Sequence, residues 1–103
     1  MHILITGSNG QLGQELQDRH TRFPVTGTSF YFTDKEDLDI TNIEEIESWI
    51  NRYAIDTIIN CAAYTDVDGA ESDEQAAFLI NDHAVGNLAK VASEHHLKLI
   101  HIS

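Results

Sequence analysis

A chain of 103 residues, 42% apolar and 22% charged, is the size of one small domain with a packed core, which excludes a disordered or fibrous chain. Six basic residues against 17 acidic ones give a formal net charge of −11, which argues against a nucleic-acid partner; only a local helix N-terminus would hold a phosphate of a small ligand. The opening run is too short for a secretory signal, nothing approaches the roughly 20 apolar residues of a membrane span, and the single cysteine, Cys61, suits a reducing cytoplasm.

His2 to Thr6 is an apolar run stopped by Gly7, which predicts a buried strand. Gly7 to Gly13 is turn-rich, and Gln14 to His20 continues as a helix with Leu12 and Leu16 one turn apart. Pro24 breaks the chain, and Val25 to Ser29 is the expected second strand. The acidic stretch Asp34 to Asp39 follows as a loop, with room for a very short strand at Asp37 to Ile40. Thr41-Asn42-Ile43-Glu44 has the form of a capping box, and Ile43, Ile46, Ile50 and Tyr53 share one helical face, so a helix is predicted over about 42–53.

Asp56 to Ala63 reads as another buried strand ending in small residues, which casts Cys61 as a buried small hydrophobe rather than a reactive thiol. Ser72-Asp73-Glu74-Gln75 is a second capping box, from which a long helix runs to about His95. Its stripe Ala77, Ile80, Ala84, Leu88 and Val91 is widened by Phe78, Val85, Ala89 and Ala92, which predicts burial on more than one side. Leu97 to Ile102 is the last strand. Strands alternating with helices predict an α/β fold of the Rossmann type, a doubly wound parallel sheet joined by right-handed crossovers.

Gly7, Gly10 and Gly13 have G-x-x-G-x-x-G spacing between the first strand and the first helix. A dinucleotide site needs that placement. One glycine makes the tight turn, one admits the backbone to a pyrophosphate, and one lets the helix pack closely, with the helix N-terminus facing the negative charge. No acidic residue closes the expected second strand near Thr28 to Phe30, Asp34 lies further on, and no Arg follows, so NAD and NADP are not distinguished.

The segment Thr6 to Leu16 resembles the opening of extended short-chain dehydrogenases/reductases. Together with Leu38-Asp39-Ile40-Thr41, Ile59 to Glu71 and the closing Ile100-His101-Ile102-Ser103, the resemblance narrows to the dTDP-4-dehydrorhamnose reductases. Cys61 stands where that family usually has alanine, and Gly69 where it often has lysine. The resemblance implies that residues 1–103 are the N-terminal part of an NAD(P)-binding domain. It implies that Gly7, Asn9, Gly10, Gln11, Leu12 and Gly13 form the cofactor turn, with Gly10, Gln11 and Leu12 at the diphosphate. Asp39 and Ile40 would meet the adenine, and Ala62, Ala63, Tyr64 and Thr65 would line the nicotinamide side. For Asp39, a solvated loop acid beside Glu36 and Asp37 is the equal alternative.

The resemblance further implies NADPH or NADH as cofactor, a dTDP-sugar as substrate, a cytoplasmic enzyme with a homodimer left open, and Mg2+ with no site assigned. Carbonyl reduction needs a hydride donor and a proton donor. The family's Tyr, the Lys four residues later and the Ser or Thr belong after the last strand, so no catalytic residue is assigned here and the 103 residues alone are expected to be inactive. Tyr31 to Lys35 has the Tyr-x-x-x-Lys form, but the spacing aligns the two side chains only on a helix, and this stretch lies between a strand and an acidic loop.

Asp66-Val67-Asp68-Gly69 lacks the glycine a calcium loop needs at its sixth position, where Glu71 stands, and reads as a solvated turn before a helix. His95, His96 and His101 do not have the spacing of a metal site; the first two suit a helix C-terminus. Two other readings stay open at the level of sequence: a non-catalytic nucleotide-binding subunit resembling the regulator of methionine adenosyltransferase, and another extended short-chain sugar-nucleotide enzyme.

Overall fold

The structure, a computed structural model, describes residues 1–61 and 74–102. In chain order the elements are β1 (His2–Thr6), α1 (Gln11–Arg22), β2 (Ser29–Phe32), α2 (Ile43–Tyr53), β3 (Thr57–Asn60), α3 (Glu74–Glu94) and β4 (Lys98–His101). The four strands form one parallel sheet in the order β2-β1-β3-β4, as the alternation of strands and helices predicts. Leu4 pairs with Tyr31 on one side and with Ile58 on the other, and Ile58 pairs with Leu99.

Because strand side chains alternate between faces, this register sorts the sheet into two surfaces. Leu4, Tyr31, Ile58 and Leu99 share the face on which Ile46 and Ile50 of α2 and Leu88 and Val91 of α3 pack. Leu4, Ile46, Ile58, Leu88 and Val91 are fully buried there, and truncating such a side chain to alanine costs about 2–5 kcal/mol. Ile3, Ile5, Phe30 and Phe32 share the opposite face, where His20 of α1 lies 4.6 Å from the Phe30 ring and 6.0 Å from the Phe32 ring, centroid to centroid. The first crossover steps the other way along the sheet from the next two, so right-handed connections place α1 opposite α2 and α3.

Several boundaries differ from the sequence reading. The second strand is Ser29–Phe32, not Val25 to Ser29, because residues 25–28 close a turn in which Thr28 donates to the Val25 carbonyl and Gly27 takes φ +83°. The aromatic alternation Phe30, Tyr31, Phe32 fills both faces at once, which outweighs the β-branched pair Val25 and Thr26. The helix begins at Gln11 rather than after Gly13 and runs to Arg22. No strand forms at Asp37 to Ile40; Asp37 and Leu38 both donate to the Asp34 carbonyl in a turn, and Leu38 plugs the core.

The helix over Ile43–Tyr53 matches its prediction, but its cap is Asn42, whose side chain accepts from the amides of Glu44 and Glu45. Thr41 turns back instead, donating to Asp39 Oδ1 from both amide and hydroxyl. The second capping box at Ser72 lies outside the described residues. On α3, Ala84, Leu88, Val91 and Ala92 are buried, whereas Val85 is half-buried and Ala89 exposed. Burial therefore follows one stripe over this part of the helix.

Candidate functional site

In a parallel sheet of this kind ligands sit beyond the carboxyl ends of the strands. Three segments leave β1, β2 and β3 there: the glycine turn, Thr33-Asp34, and Asn60-Cys61. Gly7 takes φ +73°, a backbone that side-chain-bearing residues resist, and so turns the chain out of β1. Gly10 N–H donates to the Gly7 carbonyl at 3.1 Å, and Gly10 stands as the N-cap of α1 with no side chain capping the helix. The amides of Gln11, Leu12 and Gly13 have no intrahelical carbonyl to meet. No acidic residue sits in that first turn to compete for its positive pole.

Gly13 explains why the helix can approach the turn at all. A Cβ there would lie 2.5 Å from Ser8 Cα and 2.6 Å from the Gly7 carbonyl oxygen, distances that real side chains do not show. At Gly10 a Cβ would lie 3.3 Å from the Gly7 oxygen. The pattern of glycines thus fits the demands of a cradle for a diphosphate: one positive φ, one bare N-cap, one close helix contact.

The turn is tied to the end of β2. Ser8 N–H donates to the Thr33 carbonyl at 2.9 Å, and buried Thr33 donates to the Ile5 carbonyl through both its amide and its hydroxyl. Asn9 Nδ2 then donates to Asp34 Oδ2 at 2.6 Å. Asp34, set aside in the sequence because it follows the expected strand, lies two residues past the real end of β2 and beside the glycine turn. The end of β2 at Phe32, three residues beyond the expected end at Ser29, is what brings this carboxylate to the turn.

Asp39 and Ile40 fall in a second group. Asp39 is exposed and its carboxylate is held by Thr41, while the Ile40 carbonyl accepts from Nδ2 of buried Asn87 on α3 at 3.2 Å. Asp39, Ile43, His83 and Asn87 line an open hollow of about 490 Å³ between this loop and α3. Asp39 is thus a solvent-exposed acid that also forms one wall of the hollow. Ala62, Ala63, Tyr64 and Thr65 lie outside the described residues, as does the turn at Asp66 to Gly69.

A polar chain crosses the sheet at the same end. Thr6 Oγ1 donates to Asn60 Oδ1 at 2.6 Å, and Asn60 Nδ2 lies 3.0 Å from His101 Nδ1. The Asn60 side-chain amide thus bridges the Thr6 hydroxyl of β1 and the His101 ring of β4. Sequence reasoning missed this network, since its members are distant in the chain and each is unremarkable alone. Cys61 is partly buried, and burial pushes its thiol pKa up, which keeps it protonated and a weak nucleophile.

The other candidates resolve as structure. Tyr31 belongs to β2 and its hydroxyl lies 3.1 Å from His2 Nδ1, so the Tyr-x-x-x-Lys spacing runs from a strand into a turn and never onto a helix face. His95 lies 3.6 Å from Glu47 of α2, and His96 takes φ +57° just past the helix end. Asp56 has its carboxyl held below the usual range, first by the His2 amide at 2.7 Å and then by the Thr57 hydroxyl. It sits at the amino end of β3, the pole away from the glycine turn. Among the described residues no group of three or more His, Cys, Asp or Glu is placed to hold a metal ion, and no helix is long and apolar enough to cross a membrane.

A parallel α/β sheet whose first strand enters a glycine turn and an uncapped helix defines a nucleotide-binding fold of the Rossmann type. Within that class, the chain belongs to the family described as the RmlD substrate binding domain, whose model matches residues 1–103. It is 38% identical to a dTDP-4-dehydrorhamnose reductase of Aggregatibacter actinomycetemcomitans, over 98% of this chain and 34% of the relative. It is 36% identical to a probable low-salt glycan biosynthesis reductase of Haloferax volcanii, over 100% of this chain and 37% of the relative. The dTDP-4-dehydrorhamnose reductase of Bacillus anthracis, solved in complex with NADP, is 37% identical with a TM-score of 0.77, over 95% of this chain and 34% of that one. The chain spans about a third of the length of the curated relatives it matches. These matches bear out the resemblance drawn from the glycine turn, the Leu-Asp-Ile-Thr segment and the Ala-Ala-Tyr-Thr segment.

Proposed function

We propose that this chain supplies the cofactor-binding part of an NAD(P)H-dependent dTDP-4-dehydrorhamnose reductase. The carrying observation is the bare N-terminus of α1 behind a glycine turn, in a chain that matches the family from end to end. Gln11, Leu12 and Gly13 would present backbone amides to the cofactor diphosphate, Gly10 would admit it at the bare N-cap, and the free pole of α1 would add its partial positive charge. Asp34, about 20 residues past the turn, is the group to meet the adenosine ribose, with Asp39 and Ile40 at the adenine. Ala62, Ala63, Tyr64 and Thr65 are assigned to the nicotinamide side.

A nicotinamide cofactor held by these residues would supply the hydride for reduction of the 4-keto carbon of the dTDP-sugar. This chain's residues bind and orient; no residue among them is assigned to the proton transfer. A carboxylate at the ribose accepts from a 2′-hydroxyl and repels a 2′-phosphate, so Asp34 favours NADH over NADPH. The reading carries with it a cytoplasmic enzyme; no residue is assigned to Mg2+.

The direct test is an assay of the full reading frame for oxidation of NADH and NADPH that depends on dTDP-4-dehydro-L-rhamnose. Formation of dTDP-L-rhamnose in step with cofactor oxidation is expected. Cofactor binding without turnover on any dTDP-4-keto sugar would instead favour the non-catalytic nucleotide-binding subunit.

A further inference from the structure

Two glutamines of α1 reach back over the glycine turn. Gln17 Nε2 donates to the Ser8 carbonyl at 2.8 Å, from a partly buried position nine residues on, and Gln14 Nε2 donates to the Asn9 carbonyl at 2.9 Å. The backbone takes the two remaining carbonyls: Gly7 O accepts from Gly10 N–H at 3.1 Å, and Gly10 O accepts from Gln14 N–H at 2.9 Å. All four carbonyls from Gly7 to Gly10 are therefore engaged by donors of the protein.

That accounting matters because an anion is repelled by any carbonyl oxygen turned toward it. A planar trans peptide also points its N–H opposite its C=O. Holding the Ser8 carbonyl against α1 turns the Asn9 amide away from α1, and holding the Gly10 carbonyl does the same for the Gln11 amide. Nothing in the turn's sequence forces the Ser8 and Asn9 peptides into this orientation; side-chain amides supply the restraint.

We propose that Gln17, with Gln14 in support, is a positioning residue for the diphosphate grip: it fixes the Ser8–Asn9 peptide so that amides, and no carbonyls, face the bound anion. The proposal rests on the cofactor reading above. Glutamine suits the task, being long enough to reach back, neutral, and a donor. A carboxylate at either position would bring both a repelled carbonyl and a negative charge to the site.

The test is calorimetric titration of NADH and ADP-ribose into the protein and its variants, with adenosine binding followed by ligand-observed NMR. Gln17→Leu keeps the bulk and removes the donor. It is expected to weaken NADH and ADP-ribose alike by about fivefold to tenfold, the value of one lost hydrogen bond, and to leave adenosine unchanged. Gln17→Lys, which restores a donor of similar reach, is expected to recover most of the loss. Unchanged NADH affinity in Gln17→Leu overturns the proposal, and so does an equal loss for adenosine, which is the mark of general damage to the fold. Should Gln17→Leu fail to fold, Gln14→Leu at its exposed position decides: a loss of about twofold for NADH and ADP-ribose alone supports the proposal, and no loss overturns it. Absence of NADH binding in the unaltered protein is a different result, since it overturns the cofactor reading itself.

Discussion

Two helical glycines make opposite predictions for the same substitution. A Cβ at Gly13 would stand 2.5 Å from Ser8 Cα, where ordinary contact begins at 3.4 Å, so α1 must retreat by roughly 0.9 Å from a turn bolted to β2. Forced overpacking of that kind costs about 1–3 kcal/mol, and alanine's better helix propensity returns at most about 1 kcal/mol of it. Gly86 of α3 is exposed, and a Cβ there meets nothing within 4 Å. Gly86→Ala should gain about 0.5–1 kcal/mol from propensity alone. Thermal unfolding of both variants beside the parent is the assay. Gly13→Ala should unfold several degrees lower and Gly86→Ala several degrees higher, at about 4–8 °C per kcal/mol for a chain this size. A Gly13→Ala variant as stable as Gly86→Ala would refute the claim that the third glycine exists for close helix packing.

Three further outcomes follow from the packing and electrostatics. Cys61, with its pKa raised by burial, should react with a thiol reagent at neutral pH far more slowly than free cysteine; a rate equal to free cysteine would contradict its placement. Asn60→Leu strips an acceptor from the Thr6 hydroxyl and a partner from His101, and should lower stability by about 1–3 kcal/mol in urea denaturation; an unchanged midpoint would contradict the network. The depressed pKa of Asp56 contributes stability that is full above the ordinary carboxylate range, near about 4, and lost as pH falls through its lowered value. The carboxylate is solvent-exposed, so Asp56→Asn should flatten the acid limb of the stability profile only slightly, and an unaltered limb would show that the His2 and Thr57 bonds contribute nothing there.

The parts of the fold legible in the sequence were those where local pattern and tertiary demand agree. Ile43, Ile46, Ile50 and Tyr53 mark α2 because helical spacing and core packing ask for the same positions. The glycine turn was legible for the same reason, being a local motif between a strand and a helix. The second strand was misplaced because Val25 and Thr26 carry strand propensity, whereas the pairing that decides the matter is with β1, from which Ser29 to Phe32 take their register. Thr41 and Asn42 are both good caps, and only the bond from Thr41 to Asp39 leaves the role to Asn42. Asp34 and Gln17 act through partners 25 and nine residues away, so only the folded chain brings them to the turn.

The central claim is that the turn from Gly7 to Gly13 holds the diphosphate of a nicotinamide dinucleotide. Calorimetric titration of NADH and NADPH into the protein and its Gly10→Val variant tests it most directly, because valine would crowd the Gly7 carbonyl and fill the bare N-cap without touching the core. The account predicts one cofactor bound per chain, NADH more tightly than NADPH, and no measurable binding by the variant. Equal cofactor affinity in the parent and in Gly10→Val would contradict it.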